Sequence, residues 1–345
     1  MKKYFILIAA LATTMTTVTS CINDEEKTND AKAPAEIKIS ASMKGMDVST
    51  RAATNLQGIT LSDYTKAGVF VYKTGQTAAV AASEGVSAYA GYANVAVSGA
   101  TDPTSGSGKI LTTSTTMYFP MDNANVDAYV YAPYSATYNE ASVTSMAFTV
   151  ADDQTSDDNY LASDFVFGKG TAVYASEPAL ETDKTASVQL AHALSKIIFK
   201  INEQTGADAS GITEIKLTEA YRKATINMST NDVATATGGS DPKGDVIVSK
   251  KTGNSDLYND VKNGSNGVAA IIPPHDATAI TGMNVSVTID GKTRTAAIAS
   301  ATLTQLEKGK VYTLTLNISA SALSVLVTGI TDWTPGVTEN RDLTF

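Results

Sequence analysis

An all-β fold in two domains is what this sequence predicts, and three observations carry it. Hydrophobic residues make up 43% of the chain and charged residues only 18%, with tyrosine the commonest aromatic at 15 copies. That balance suits pleated, half-buried surfaces better than long charged helices. Apolar residues recur with period two over short runs bounded by Gly, Pro, Asn and Asp. The 345 residues provide for about two domains of ordinary size, each able to bury its own core. The formal charge is −9, which makes a nucleic-acid backbone a poor partner.

Residues 1–20 read as a signal peptide outside the fold. Lys2 and Lys3 give the positive start, Tyr4 to Leu11 the apolar run, and Val18, Thr19 and Ser20 the small-residue approach to Cys21. The run falls short of the roughly 20 apolar residues that span a bilayer. Val-Thr-Ser-Cys resembles the bacterial lipoprotein signal, in which the cysteine is acylated and becomes the new N-terminus; an ordinary secretory signal ending near a cysteine is the alternative. Cys21 is the only cysteine, so a disulfide within the chain is impossible. Asp24, Glu25 and Glu26 resemble the surface-export signal of Bacteroides-group lipoproteins, although a solvated tether would be acidic too. Residues 21–35 are therefore assigned to an acidic tether.

The N-terminal domain is expected over 36–187. Ile37, Ile39, Ala41 and Met43 alternate with polar residues from Glu36 onward, the pattern of a half-buried strand. Ser49, Thr50, Arg51, Ala52, Ala53 and Thr54 follow as a polar stretch, where a lone arginine between small residues is open to a trypsin-like protease. Ala67 to Tyr72 is a dense strand candidate. Met117–Pro120 and Val126–Tyr134, separated by Asp122 to Asn125, suit a hairpin. The Gly-rich segment 85–109 reads as an edge strand with a long loop. Asp152, Asp153, Asp157 and Asp158 form an acidic loop without the spacing of a calcium site.

A polar segment with Pro178 marks the boundary, and the C-terminal domain is expected over 188–345. Residues 190–201 fit either a helical face or a strand with a phase slip near Ser195; the strand formers Ile197, Ile198, Phe199 and Ile201 favour the strand. Val285, Val287 and Ile289 lead to Asp290-Gly291 and out again through Thr293, Thr295 and Ala297, the strongest hairpin signal in the chain. Tyr312, Leu314, Leu316 and Ile318 alternate cleanly, and Leu323, Val325 and Val327 make a last strand before Trp333, the only tryptophan.

Nothing here reads as catalytic, cofactor-binding or metal-binding. His192 and His275 stand far apart in different contexts, one in an apolar block and one beside a Pro-Pro pair. Gly168 and Gly170 begin a dinucleotide fingerprint, but Val173 occupies the third glycine's place. No nucleophile elbow or Walker loop occurs, and no carboxylate pair is set apart as acid and base.

The lipoprotein start, STRAA at 49–53, MYFPMDNANVDAYVYAPY at 117–134, LAHALSKIIFKI at 190–201 and ITDWTPG at 330–336 together resemble the fimbrillin family of Bacteroides-type pilus proteins. The resemblance implies two transthyretin-like Greek-key β-sandwich domains and a structural or tip subunit of a surface pilus serving adhesion, not an enzyme. It implies export as an outer-membrane lipoprotein acylated at Cys21 and a cut by an arginine-specific surface protease between Arg51 and Ala52. The segment 36–51, with the strand carrying Ile37, Ile39, Ala41 and Met43, would be removed, and Leu323, Val325 and Val327 would donate to the neighbouring subunit in the fibre. A monomeric surface lipoprotein that binds a glycan or a host protein, with Tyr129, Tyr131, Tyr134 and Tyr138 as a stacking surface, is the other reading.

Overall fold

The computed structural model describes residues 35–43, 66–83, 87–101, 109–174, 184–237, 243–251, 257–262, 268–300 and 303–333. Its first half holds β1 (Lys38–Met43), β2 (Ala67–Lys73), β3 (Tyr92–Thr101), β4 (Lys109–Thr113), β5 (Val126–Ala132), β6 (Met146–Thr149), α1 (Asp157–Ala162), β7 (Val166–Ala172) and β8 (Thr185–His192). Seven of these strands close into a ring in the order β1-β4-β3-β2-β5-β7-β8. The two faces of a sandwich are here joined by hydrogen bonds, and β1 supplies the joint, because it pairs with β4 on one side and β8 on the other.

Sequence dictates which strands sit centrally. β2 (AGVFVYK) and β5 (VDAYVYA) are buried along their whole length, and near-continuous apolar runs are what strands covered on both faces require. The one carboxylate among them, Asp127, is fully buried and accepts bonds from the Gly75 N–H at 3.0 Å, the Thr171 hydroxyl at 2.7 Å and the Lys169 ammonium at 2.9 Å. Burial pushes its carboxyl up, but these three donors outweigh that and hold it below the usual carboxylate range. Gly168 and Gly170 serve close strand packing in β7. A Cβ at Gly170 would stand 2.4 Å from the Ser187 carbonyl oxygen, and one at Gly168 2.2 Å from that of Gln189. Gly170→Ala is therefore expected to lower stability by roughly 1–3 kcal/mol, read as a lower urea midpoint at unchanged slope. An unchanged midpoint would remove this account of the glycines.

Two expectations for this half are corrected. Residues 117–120 do not form a hairpin with β5, because both edges of β5 are taken by β2 and β7. They pair instead with the approach to β1: Phe119 N–H donates to the Ala35 carbonyl at 3.0 Å and Ile37 N–H to that of Met117 at 2.8 Å. Among the described residues, the segment 85–109 carries no edge strand either, since β3 and the start of β4 are interior members of the ring. In the acidic loop, the Asp153 carboxylate accepts from the backbone and hydroxyl of Thr155, while Asp157 and Asp158 fall in the first turn of α1. There they meet the positive end of the helix, capped by Ser156, whose side chain accepts from Asn159 N–H.

The second half holds β9 (Ser195–Glu203), β10 (Ile212–Tyr221), β11 (Lys223–Asn227), β12 (Asp232–Thr235), β13 (Lys243–Lys250), α2 (Leu257–Lys262), β14 (Ala269–Ile272), β15 (Asn284–Ile289), β16 (Lys292–Ala297), β17 (Lys310–Ile318) and β18 (Leu323–Asp332). Two four-stranded sheets, β13-β10-β15-β16 and β14-β9-β17-β18, enclose one core in which Leu217, Val246 and Val287 of the first meet Phe199, Ile272 and Leu316 of the second. The Asp290-Gly291 hairpin is as expected, with both turn residues at positive φ, 49° and 72°. The phase slip near Ser195 is not a bulge within one strand. Ala193 and Leu194 separate β8, which belongs to the ring, from β9, which belongs to the second core. β8 thus spans the expected 187/188 division and lies wholly with the first half.

β6 pairs with β11, so a three-stranded sheet draws on both halves. Gln154, fully buried, accepts from Ile271 N–H and donates to the Ile271 carbonyl, both at 2.8 Å. Its side-chain amide takes the place of a neighbouring strand for β14.

Candidate functional site

The slot occupied by β1 holds four of the sequence-derived site residues. Ile37, Ile39, Ala41 and Met43 all face the core and are 8% exposed or less, as their alternation requires. Along one edge β1 runs parallel to β8 from Lys38↔Thr185 to Met43↔Leu190; along the other it runs antiparallel to β4 at Ser40↔Ile110 and Ala41↔Lys109. On its other face the Ser40 hydroxyl donates to that of Ser187 at 3.2 Å. Taking β1 out would open the ring, leave β4 and β8 with unpaired edges, and uncover a row of apolar side chains between them. The partners along this slot, Ser187 and the backbone of Met117 and Phe119, carried no sequence signal, because they lie far away along the chain.

Leu323, Val325 and Val327 stand elsewhere, on β18, the edge strand of the second half's β14-β9-β17-β18 sheet. Their side chains are only half-buried and pack on the second core, while Leu326 and Ile330 point out at 52% and 50% exposure. A bulge at Thr328 interrupts the pairing with β17: Thr313 faces Gly329 but Leu314 faces Val327. Inward rows of the two strands share the same period and aliphatic character, yet belong to different cores.

Cys21, Asp24, Glu25, Glu26, Arg51 and Ala52 lie outside the described residues. The tyrosine row is corrected: Tyr129 and Tyr131 are buried, at 1% and 0% exposure. Tyr131 stacks on Phe165 at 5.7 Å between centroids and 10° between planes, and its hydroxyl donates to Asn94 Oδ1 at 2.5 Å. Tyr138 meets Tyr131 edge-on and donates to the Ala147 carbonyl at 2.9 Å. Tyr129 and Tyr131 thus belong to the core and offer no stacking face to a glycan, while Tyr134 and Tyr138 are partly buried against it.

His192 and His275 have structural partners. His192 Nδ1 and an Asp164 carboxylate oxygen are 2.9 Å apart in the interior. His275 places Nδ1 2.7 Å from the Pro273 carbonyl, and its Nε2 accepts the Tyr221 N–H at 3.3 Å, which fixes the neutral tautomer with its proton on Nδ1. Burial lowers its pKa from 6.5 to about 4, more than the Pro273 carbonyl's attraction for the proton restores. Among the described residues no three His, Cys, Asp or Glu side chains are grouped to hold a metal, and no helix is long and apolar enough to cross a membrane.

Comparison with known proteins extends the picture. A candidate cell adhesion protein from Bacteroides uniformis has a similar structure at 18% identity and a TM-score of 0.57, with 88% of this chain and 98% of that one covered. One from Bacteroides ovatus gives 18%, 0.57, 89% and 100%, and one from Parabacteroides distasonis 10%, 0.50, 89% and 99%. At these identities the likeness is one of fold. Among curated proteins nothing matches. The sequence profile described as fimbrillin-like matches residues 50–333, a stretch that begins beyond β1 and ends with Trp333. That match spans most of the chain, and on it the chain belongs to the fimbrillin-like family.

Proposed function

We propose that this chain is a subunit of a surface pilus, stalk or tip, that serves adhesion and is assembled by strand exchange. It is exported as an outer-membrane lipoprotein acylated at Cys21 and directed outward by Asp24, Glu25 and Glu26. An arginine-specific surface protease cuts between Arg51 and Ala52, β1 leaves, and the strand carrying Leu323, Val325 and Val327 of another subunit fills the vacated slot. The two halves act as separate domains, one receiving and one donating, and the assembled fibre meets a host or bacterial surface.

The observation that carries this reading is the double pairing of β1. A strand held on both edges and buried on one face, followed by a segment containing a lone arginine, is a plug in a strand-shaped slot. Its removal exposes backbone donors and acceptors spaced to pair with an incoming strand. The donor row has the right period, but three aliphatic side chains stand against four sites, and the bulge at Thr328 breaks the period after Val327. Main-chain pairing along both edges of the slot therefore has to supply much of the affinity.

Arg51→Ala tests the order of events. The variant is expected to accumulate as a monomeric lipoprotein with β1 still attached, whereas wild-type chains recovered from fibres begin at Ala52 by N-terminal sequencing. Polymers of undiminished abundance in the variant would overturn the reading.

A further inference from the structure

We infer that Trp333 is a clasp that holds β18 on its own subunit and so restrains its donation; this rests on the strand-exchange reading above. β18 is paired along one edge alone, with β17. It lies at a sheet edge, its inward side chains are half-buried, and beyond the Thr328 bulge Ile330, Thr331 and Asp332 are all exposed. The next residue reverses the trend. The Trp333 indole lies flat on the His192 ring, 3.9 Å between centroids and 3° between planes, while its backbone N–H donates to the Gly309 carbonyl at 2.6 Å.

Both contacts are to groups that are themselves fixed. His192 ends β8 and is held in plane by Asp164. Gly309, at a φ of 66°, donates its own N–H to the Leu194 carbonyl at 2.7 Å. The Lys196 ammonium stands 5.7 Å from the indole centroid, and Lys310 pairs with Asp332 at 2.5 Å just before the clasp. Trp333 packs against the first core although the strand it terminates packs against the second. The body of β18 is thus a half-buried edge strand paired on one side, whose far end is fastened across the junction of the two halves. Before that strand can leave for a neighbour, the indole has to leave His192.

Amide hydrogen exchange on the purified lipid-free chain tests the clasp without reference to polymers. In Trp333→Ala, exchange across Leu323–Asp332 is expected to be about tenfold faster, with β1 unchanged as the control for folding; Trp333→Phe, which keeps a ring for His192, is expected to fall nearer wild type. After arginine-specific cleavage, Trp333→Ala is expected to polymerise with a shorter lag than wild type. Unchanged exchange in β18 overturns the inference, as does faster exchange with an unchanged or longer lag. Should β1 also lose protection in Trp333→Ala, Trp333→Leu, which keeps apolar bulk but gives His192 no ring to stack on, decides by the same criteria. A wild-type chain that stays monomeric after cleavage overturns the strand-exchange reading instead, and the exchange comparison alone then decides the clasp.

Discussion

Cutting the lipid-free chain after Arg51 and removing the released segment is expected to destabilise the first half by up to about 5–9 kcal/mol in the apolar term alone. Ile37, Ile39 and Met43 are large, buried and lost together, and each contributes about 1.5–3 kcal/mol by its burial. Freed conformational entropy of the segment offsets part of this, while the bonds lost along β4 and β8 add to it. Domains of this kind are stable by only about 5–15 kcal/mol in total, so the cut product should unfold at a much lower urea midpoint than the intact chain. A synthetic peptide of residues 36–43, added in excess, should raise that midpoint again by mass action. The same peptide with Ile39→Asp should not, because a carboxylate would be placed where the native side chain is 1% exposed. A cut product with the midpoint of the intact chain and no response to peptide would show that the slot is not a binding site for a strand.

What made this slot legible in advance was local. Alternation in residues 36–43 and 312–318, the dense apolar runs at 67–72 and 126–134, and Asp-Gly at 290–291 each mark a strand or a hairpin within a few residues, and each of these stretches holds one, with β5 ending at Ala132 and β17 beginning at Lys310. Pairing across long separations was not legible. Nothing near Ile39 indicates that its neighbour is Ala186, and the good hairpin signal at Asp122–Asn125 loses because β2 and β7 already occupy the edges of β5. The slip at Ser195 reads in sequence as a bulge within one strand, and only the topology shows that it is the passage between two cores. Tyrosines at 129 and 131 failed as a surface for a related reason. Their alternation shows two faces, but not that a closed ring and the segment beside it bury both.

His275 should make the protein less stable as pH falls through a range in which most carboxylates are still ionised. Its pKa is about 4 in the folded chain against an ordinary 6.5. Between these values the unfolded chain binds a proton that the folded chain refuses, so stability decreases with falling pH and levels off below about 4. The size of the effect between pH 7 and pH 4 is about 3 kcal/mol. Among neighbouring charges, Asp276 favours the protonated ring and Lys243 opposes it, yet burial outweighs both. The Tyr221 N–H reinforces the neutral form, since a proton on Nε2 would turn its acceptor into a donor aimed at it, while the Pro273 carbonyl pulls the other way and is outweighed by burial. His275→Asn keeps a donor for the Pro273 carbonyl and cannot titrate. That variant is expected to be less stable than wild type at pH 7, with the gap narrowing by about 3 kcal/mol by pH 4. Urea midpoints of the two proteins measured across that range decide the point: parallel curves would mean that His275 is charged, or solvated, in the folded chain.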